Sequence, residues 1–163
     1  MRCVGLDWIG WRRRGYAFHH LRKFNDALEN YDRSLELDQN YALAYANRGF
    51  TLYLMGRRHQ AEADLLKAIT LISAGMQTQR ILSYVERIKR GRALYFLHRI
   101  NEALEDFASA IALRPHSAEP LAERGCVLYR LERYEEAQVD LDRAWATNTL
   151  GTLPQTHMSV SRV

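Results

Sequence analysis

The sequence is short of cysteine and proline and has no long apolar run. Two cysteines, Cys3 and Cys126, make no disulfide framework, and reduced thiols are expected. Three prolines and nine glycines among 163 residues exclude collagen-like and low-complexity chains. No stretch approaches the roughly 20 apolar residues that span a bilayer, so no membrane segment is expected. The opening MRCVGLDWIGWRRR lacks a continuous apolar stretch before its arginines, which argues against a secretory leader and for a cytoplasmic location. A large charge of one sign is missing too. The net charge is +4, with 12 Lys/Arg against 8 Asp/Glu in residues 1–82 and 11 against 11 in residues 83–163. That asymmetry falls well short of a nucleic-acid tail.

Catalytic constellations are absent as well. The sequence holds no Walker loop, nucleophile elbow, HExxH or CxxC, so no enzyme, metal site or cofactor is expected. His19 and His20 are adjacent, and neighbours on a helix point about 100° apart, which suits surface placement better than a shared metal.

A period is present instead. An Arg-Gly pair recurs at Arg14-Gly15, Arg48-Gly49, Arg90-Gly91 and Arg124-Gly125, the glycines being 34, 42 and 34 residues apart. Twelve residues after each glycine stands an alanine: Ala27, Ala61, Ala103 and Ala137. Four further on is a large apolar residue (Tyr31, Leu65, Phe107, Leu141), and three beyond that a small one (Ser34, Ala68, Ala110, Ala144). Each unit carries two apolar stripes at helical spacing, separated by a short polar break such as RLERYEEA. That pattern is two amphipathic helices and a tight turn. A glycine inside a helix costs about 1 kcal/mol, so its recurrence implies that close packing requires it. The spacing predicts eight helices, over about 8–21, 25–37, 42–55, 59–73, 78–97, 101–113, 118–131 and 135–148.

Each repeated arginine has a counterpart on the second helix of its unit: Asn30, Asp64, Asp106 and Asp140. The recurrence predicts a ladder of ion pairs or hydrogen bonds joining neighbouring helices, a role that suits the rigid guanidinium fork.

The array resembles the tetratricopeptide-repeat family over roughly residues 8–151. The family's fourth place is Trp11, Tyr45, Arg87 and Leu121 here, and its eleventh is Phe18, Leu52, Leu94 and Leu128. The alanine, large apolar and small places match as given above. The seventh place is arginine in all four copies, where leucine is usual, and the thirty-second is proline only at Pro115. The resemblance implies an all-α fold, a right-handed α-solenoid of four antiparallel helix pairs. Repeats would run over about 8–41, 42–75, 84–117 and 118–151 in one domain, between an extension at 1–7 and an irregular tail at 152–163. Eight extra residues between copies two and three, at about 76–83, are expected to give a longer turn and a longer fifth helix. The last helix lacks a capping partner and should expose Val139 or Trp145, which favours self-association through that end.

The resemblance also implies where a partner binds. First helices line the concave face, which receives a peptide or a helix of another protein. Carried over place by place, the lining is Arg12, Tyr16 and His19, then Asn47, Phe50 and Tyr53. Lys89, Arg92, Tyr95 and Phe96 follow from copy three, and Cys126 and Tyr129, with Glu119 and Glu123, from copy four. Aromatic residues interspersed with cations suit peptide recognition. The family's clamp for a terminal carboxylate (Lys, Asn, Asn, Lys, Arg) is matched in part. Arg12 and Lys89 keep the charge and Asn47 one amide, whereas Tyr16 and Val85 replace the rest. This implies a looser preference for acidic or carboxylate-bearing segments. RNA recognition is the competing reading, since helical repeats can read bases and Arg12–Arg14, Arg57–Arg58 and Lys89–Arg92 could serve phosphates. The small charge excess and the acidic Glu119 and Glu123 weigh against it. An architectural, self-assembling subunit is a third reading.

Overall fold

In the computed structural model the described residues are 6–77 and 83–150. Among them are eight α-helices and no strand. These are α1 (Trp8–His20), α2 (Phe24–Leu37), α3 (Ala42–Leu54), α4 (Arg58–Gln77), α5 (Tyr84–Phe96), α6 (Ile100–Leu113), α7 (Ala118–Arg130) and α8 (Tyr134–Leu150). The expected tail at 152–163, residues 1–5 and most of the insertion lie outside the described residues.

The chain forms two compact units, one through Asp106 and one from Phe107 onward. In the first unit α1 packs on α2 and α3 on α4, while α3 also touches α1 and α5. Its fully buried side chains include Tyr31, Leu65, Ile72, Ile88 and Leu94. In the second unit α7 packs on α8, and Ile111, Leu121 and Ala144 form a core cluster flanked by Ala118 and Ala122. Val139 and Trp145 on α8 are exposed.

The repeated places explain the pairing. The alanines Ala27, Ala61, Ala103 and Ala137 are all buried, as are Ser34, Ala68, Ala110 and Ala144. At Gly49 an added Cβ would lie 2.9 Å from Leu65 Cδ2, and at Gly125 2.8 Å from Leu141 Cγ. Each glycine thus receives the large apolar residue sixteen positions on.

Helix pairs are joined by three-residue turns whose middle residue is left-handed: Arg22, Gly56, His98 and Glu132, with φ of 58°, 75°, 59° and 61°. The residue after it donates its N–H back five residues, Lys23 to the Phe18 carbonyl, Arg57 to Leu52, Arg99 to Leu94 and Arg133 to Leu128. This bond closes the first helix's orphaned carbonyls, as in a Schellman cap. Glycine suits the left-handed residue best, and only Gly56 supplies it. His98→Gly should therefore raise stability by about 0.5–1 kcal/mol, read as a higher urea midpoint. An unchanged or lower midpoint would show that the left-handed turn carries no strain.

Two expectations need correction. The fifth helix does not start at 78. Ser83 caps it, its hydroxyl accepting from the Glu86 N–H while the Glu86 carboxylate accepts from the Ser83 N–H at 2.9 Å. This capping box fixes the start at Tyr84, and extra helical length appears in α4, which runs to Gln77.

The ladder is the second. Arg48 grips Asp64 through Nε and Nη2, both at 2.7 Å; Arg90 grips Asp106 at 2.6 and 2.6 Å; Arg124 grips Asp140 at 2.6 and 2.8 Å. Hydrogen bonds to Asp64 and Asp140 hold the Arg48 and Arg124 guanidinium groups even more firmly protonated than usual. The first copy has no such rung. Asn30 carries no charge and turns back to donate to the Asp26 carbonyl at 2.6 Å. Arg14 lies exposed, its guanidinium 5.6 Å from the ring centroids of both Trp11 and Phe18.

Candidate functional site

The expected groove residues of the first unit sit on α1, α3 and α5, and most of them come together. Phe96 joins the aromatic side chains, with ring centroids 5.6 Å from Phe50, 4.5 Å from Tyr53 and 5.8 Å from Tyr95. Cations lie over these rings. The Arg92 guanidinium is 4.5 Å from the Phe50 centroid, and the Lys89 ammonium is 5.3 Å from that of Tyr16 and 5.9 Å from that of Phe50. An ammonium or guanidinium over an aromatic face is attracted by the ring quadrupole. Lys89 is nevertheless 93% buried, at 7% exposure, which is unusual for a lysine.

Beside this cluster is a small hollow of about 50 Å³. Tyr16, His19 and His20 line it from α1, Asn47 and Phe50 from α3, and Lys89 and Arg92 from α5; Tyr31 of α2 completes it. None of these lining residues is acidic. Tyr31 and Asn47 are 0% and 3% exposed, and the Tyr31 hydroxyl and the Asn47 side-chain nitrogen have no protein hydrogen-bond partner. The hydroxyl lies beside Thr51 without the geometry of a bond, and burial raises its pKa.

His19 is not the surface residue expected. It is half-buried, with Nδ1 2.8 Å from the Thr51 hydroxyl oxygen. Thr51 in turn donates its one proton to the Asn47 carbonyl at 2.9 Å. Nδ1 must therefore be the donor to Thr51, which leaves Nε2 as the lone-pair nitrogen of the neutral ring. Burial first, then His20, Arg92 and Lys89, lower the imidazole pKa below its ordinary 6.5. His20 is exposed, stacking edge-on against Tyr16 at 4.3 Å.

Arg12 is engaged differently. Its Nε donates to the Tyr41 hydroxyl at 2.8 Å, and Tyr41 is not among the residues sequence reasoning picked. Cys126 and Tyr129 belong to the second unit, on α7; both are exposed, and Tyr129 meets Tyr134 edge-on at 5.2 Å. Among the described residues no group of His, Cys, Asp or Glu is placed to hold a metal ion, and no helix is long and apolar enough to cross a membrane.

Comparison with known proteins accounts for this architecture. Residues 15–56 match a family model described as TPR repeat, and residues 42–72 match one described as tetratricopeptide repeat. The chain is 25% identical over 142 residues to the DnaJ homolog subfamily C member 7 homolog of Dictyostelium discoideum. That match covers 80% of this chain and 26% of the relative, so the chain spans about a quarter of that protein's length. Among solved structures, the APC/C hetero-tetramer Cut9-Hcn1 is similar with a TM-score of 0.63 at 18% identity, over 88% of this chain and 26% of that one. MamA from Desulfovibrio magneticus RS-1 gives 0.59 at 16%, over 90% and 78%. The first TPR of Spaghetti (RPAP3), bound to the HSP90 peptide SRMEEVD, gives 0.53 at 19%, over 77% and 94%. Likeness at such identities speaks for the fold, an all-α helical-repeat fold of the solenoid class.

Proposed function

We propose that this chain, which belongs to the tetratricopeptide-repeat family, is a non-catalytic interaction module that holds a segment of another protein on the α1–α3–α5 face of its first unit, with a preference for acidic or carboxylate-bearing segments. One observation carries the preference: Lys89 and Arg92 lie over aromatic rings beside a hollow whose lining includes no carboxylate. The aromatic residues offer contact area with few side-chain torsions to freeze, and the cations supply charge complementarity. The acidic peptide held by the similar repeat domain of Spaghetti (RPAP3) supports the same reading.

The test uses the fluorescein-labelled heptapeptide SRMEEVD and a version with Gln and Asn in place of its acids, followed by fluorescence anisotropy. The acidic peptide should bind at least about fivefold more tightly, and the gap should narrow as salt screens the charges. Arg92→Glu should weaken the acidic peptide by about tenfold or more, since truncating or reversing an interface charge costs one to several kcal/mol. Equal affinity for the two peptides, or no response to Arg92→Glu, would remove the preference.

A further inference from the structure

The repeated arginines do more than grip the second helix of their own unit. Arg48 also reaches back, its Nη1 donating to Asp32 of α2 at 2.6 Å. Arg90 reaches back as well, its Nη1 lying 3.4 Å from the Ser73 hydroxyl of α4. A first helix is thus tied to the second helix before it, and α2 packs on α3 as α4 packs on α5. The same places on α1 lie open. Arg14 and Ala17 are exposed, whereas Thr51 and Ala93, at the place of Ala17, are 0% exposed. Among the described residues no carboxylate pairs with Arg14, which rests on the rings of Trp11 and Phe18.

The last helix shows the converse lack. Leu141 and Asp142 of α8 stand where Tyr31 and Asp32 stand on α2. Tyr31, Leu65 and Phe107 are fully buried at their common place, but Leu141 is only half-buried. Trp145 is exposed at the place where Leu35, Ile69 and Ile111 are buried. Asp142 is exposed too, and its Oδ1 accepts from the Gln138 side-chain amide at 2.7 Å. That leaves Oδ2 for a second donor.

These two open faces answer each other in register and in charge. Where α2 meets α3, Asp32 accepts from Arg48 and Tyr31 lies beside Thr51. The same register, carried to α8 and α1, sets Asp142 against Arg14 and Leu141 against Ala17. One pair is ionic and the other apolar, so neither conflicts. The helices as wholes agree: α1 carries three arginines and no carboxylate, and α8 carries four carboxylates and one arginine. Repeat units stack because each leaves an apolar face for a neighbour to cover.

We infer that a second copy of this chain docks its α8 on α1, in the register in which α2 packs on α3, with Asp142 supplying the carboxylate that Arg14 lacks in its own chain. Leu141 and Trp145 provide the apolar area. The exposed ion pair adds little affinity by itself; it sets the register and the choice of partner. Each copy has one face of each kind, so the contact is heterologous and association continues beyond two copies unless the arrangement closes. The surface is distinct from the α1–α3–α5 face. Arg14 and Tyr16 are two positions apart and point about 200° apart around α1.

The test measures the weight-average mass of the full chain by sedimentation equilibrium, from about 10 μM to 1 mM, a range suited to weak association, at low salt. Four proteins are compared: wild type, Arg14→Asp, Asp142→Arg and the double reversal. Both positions are exposed, and urea midpoints confirm that each variant is folded. The mass of the wild type should rise with concentration. Each single reversal places like charges opposite one another and should move that rise to about tenfold higher concentration or more. The double reversal should restore it. An equimolar mixture of the two single variants should restore it too, because each then offers the other a complementary face. A wild type that stays monomeric throughout overturns the inference and leaves α8 to the chain's own tail or to another protein. Association unaffected by Arg14→Asp overturns it in favour of a contact between two α8 helices. Failure of both the double reversal and the mixture to recover association removes the Arg14–Asp142 pairing and the register with it.

Discussion

Replacing Asp106 with alanine is expected to destabilise the protein by about 3–5 kcal/mol, the largest effect of any single substitution in the arginine ladder. Asp106 is 1% exposed and receives two hydrogen bonds of 2.6 Å from Arg90. Arg87 also approaches to 4.0 Å, and its Nε is buried with no protein partner. Removing the carboxylate takes away the two short bonds that Arg90 makes, and its 3.4 Å bond to Ser73 is too long to replace them. The cost comes from leaving buried charge unpaired, not from the attraction itself. A double replacement, Arg90→Met with Asp106→Leu, should therefore recover most of the loss, since an apolar pair of similar volume often substitutes for a buried ion pair. Arg14→Met provides the contrast. Arg14 has no rung and is exposed, so its loss should change stability by no more than about 0.5 kcal/mol. Urea unfolding of the four proteins reads all three expectations. An Asp106→Ala protein as stable as wild type, or an Arg14→Met protein equally damaged, would mean that the arginines recur for some reason other than pairing.

The period made the helix pairs legible because close packing leaves a trace at fixed spacing: a glycine, an alanine, a large residue and a small one. Three rungs were legible for the same reason, since an arginine and an aspartate sixteen residues apart meet across each pair. The fourth was not, because an asparagine can satisfy itself on its own helix, as Asn30 does with the Asp26 carbonyl. The left-handed turns left little mark. Arg22, His98 and Glu132 occupy a position that only Gly56 announces by composition. The start of α5 was written in the sequence as Ser83-Tyr84-Val85-Glu86, but a helical period read through the insertion hid the cap.

The site was legible as a face and not as a hollow. First-helix places picked Tyr16, His19, Asn47, Phe50, Lys89 and Arg92, all of which line it. Tyr31 was counted only as the large packing residue of its copy. A signal was available: the other copies carry Leu65, Phe107 and Leu141 at that place, and only the first carries a hydroxyl. A polar atom at a repeated core place asks for a partner, and none of the neighbouring helices provides one for Tyr31. The Arg12–Tyr41 contact was beyond reach, because Tyr41 lies in the link between α2 and α3, outside the repeated places.

The same tyrosine makes Gly15 the most sensitive of the packing glycines described. A Cβ there would lie 2.7 Å and 2.8 Å from Tyr31 Cε1 and Cδ1, and 3.1 Å from the Ala27 carbonyl oxygen. Alanine gains about 1 kcal/mol of helix propensity over glycine, so an exposed helical glycine would be stabilised by the change. Here the neighbour is a fully buried ring, which cannot turn aside as the end of an aliphatic chain can. Gly15→Ala should therefore destabilise the protein by about 1–3 kcal/mol in spite of propensity, with Gly15→Val worse. Gly49→Ala should be milder, because its nearest atom is Leu65 Cδ2, the tip of a flexible side chain, at 2.9 Å. Urea midpoints of the two variants against wild type measure both effects. A Gly15→Ala protein more stable than wild type would show that the ring yields easily, and with it the claim that glycine is there to admit Tyr31 would fall.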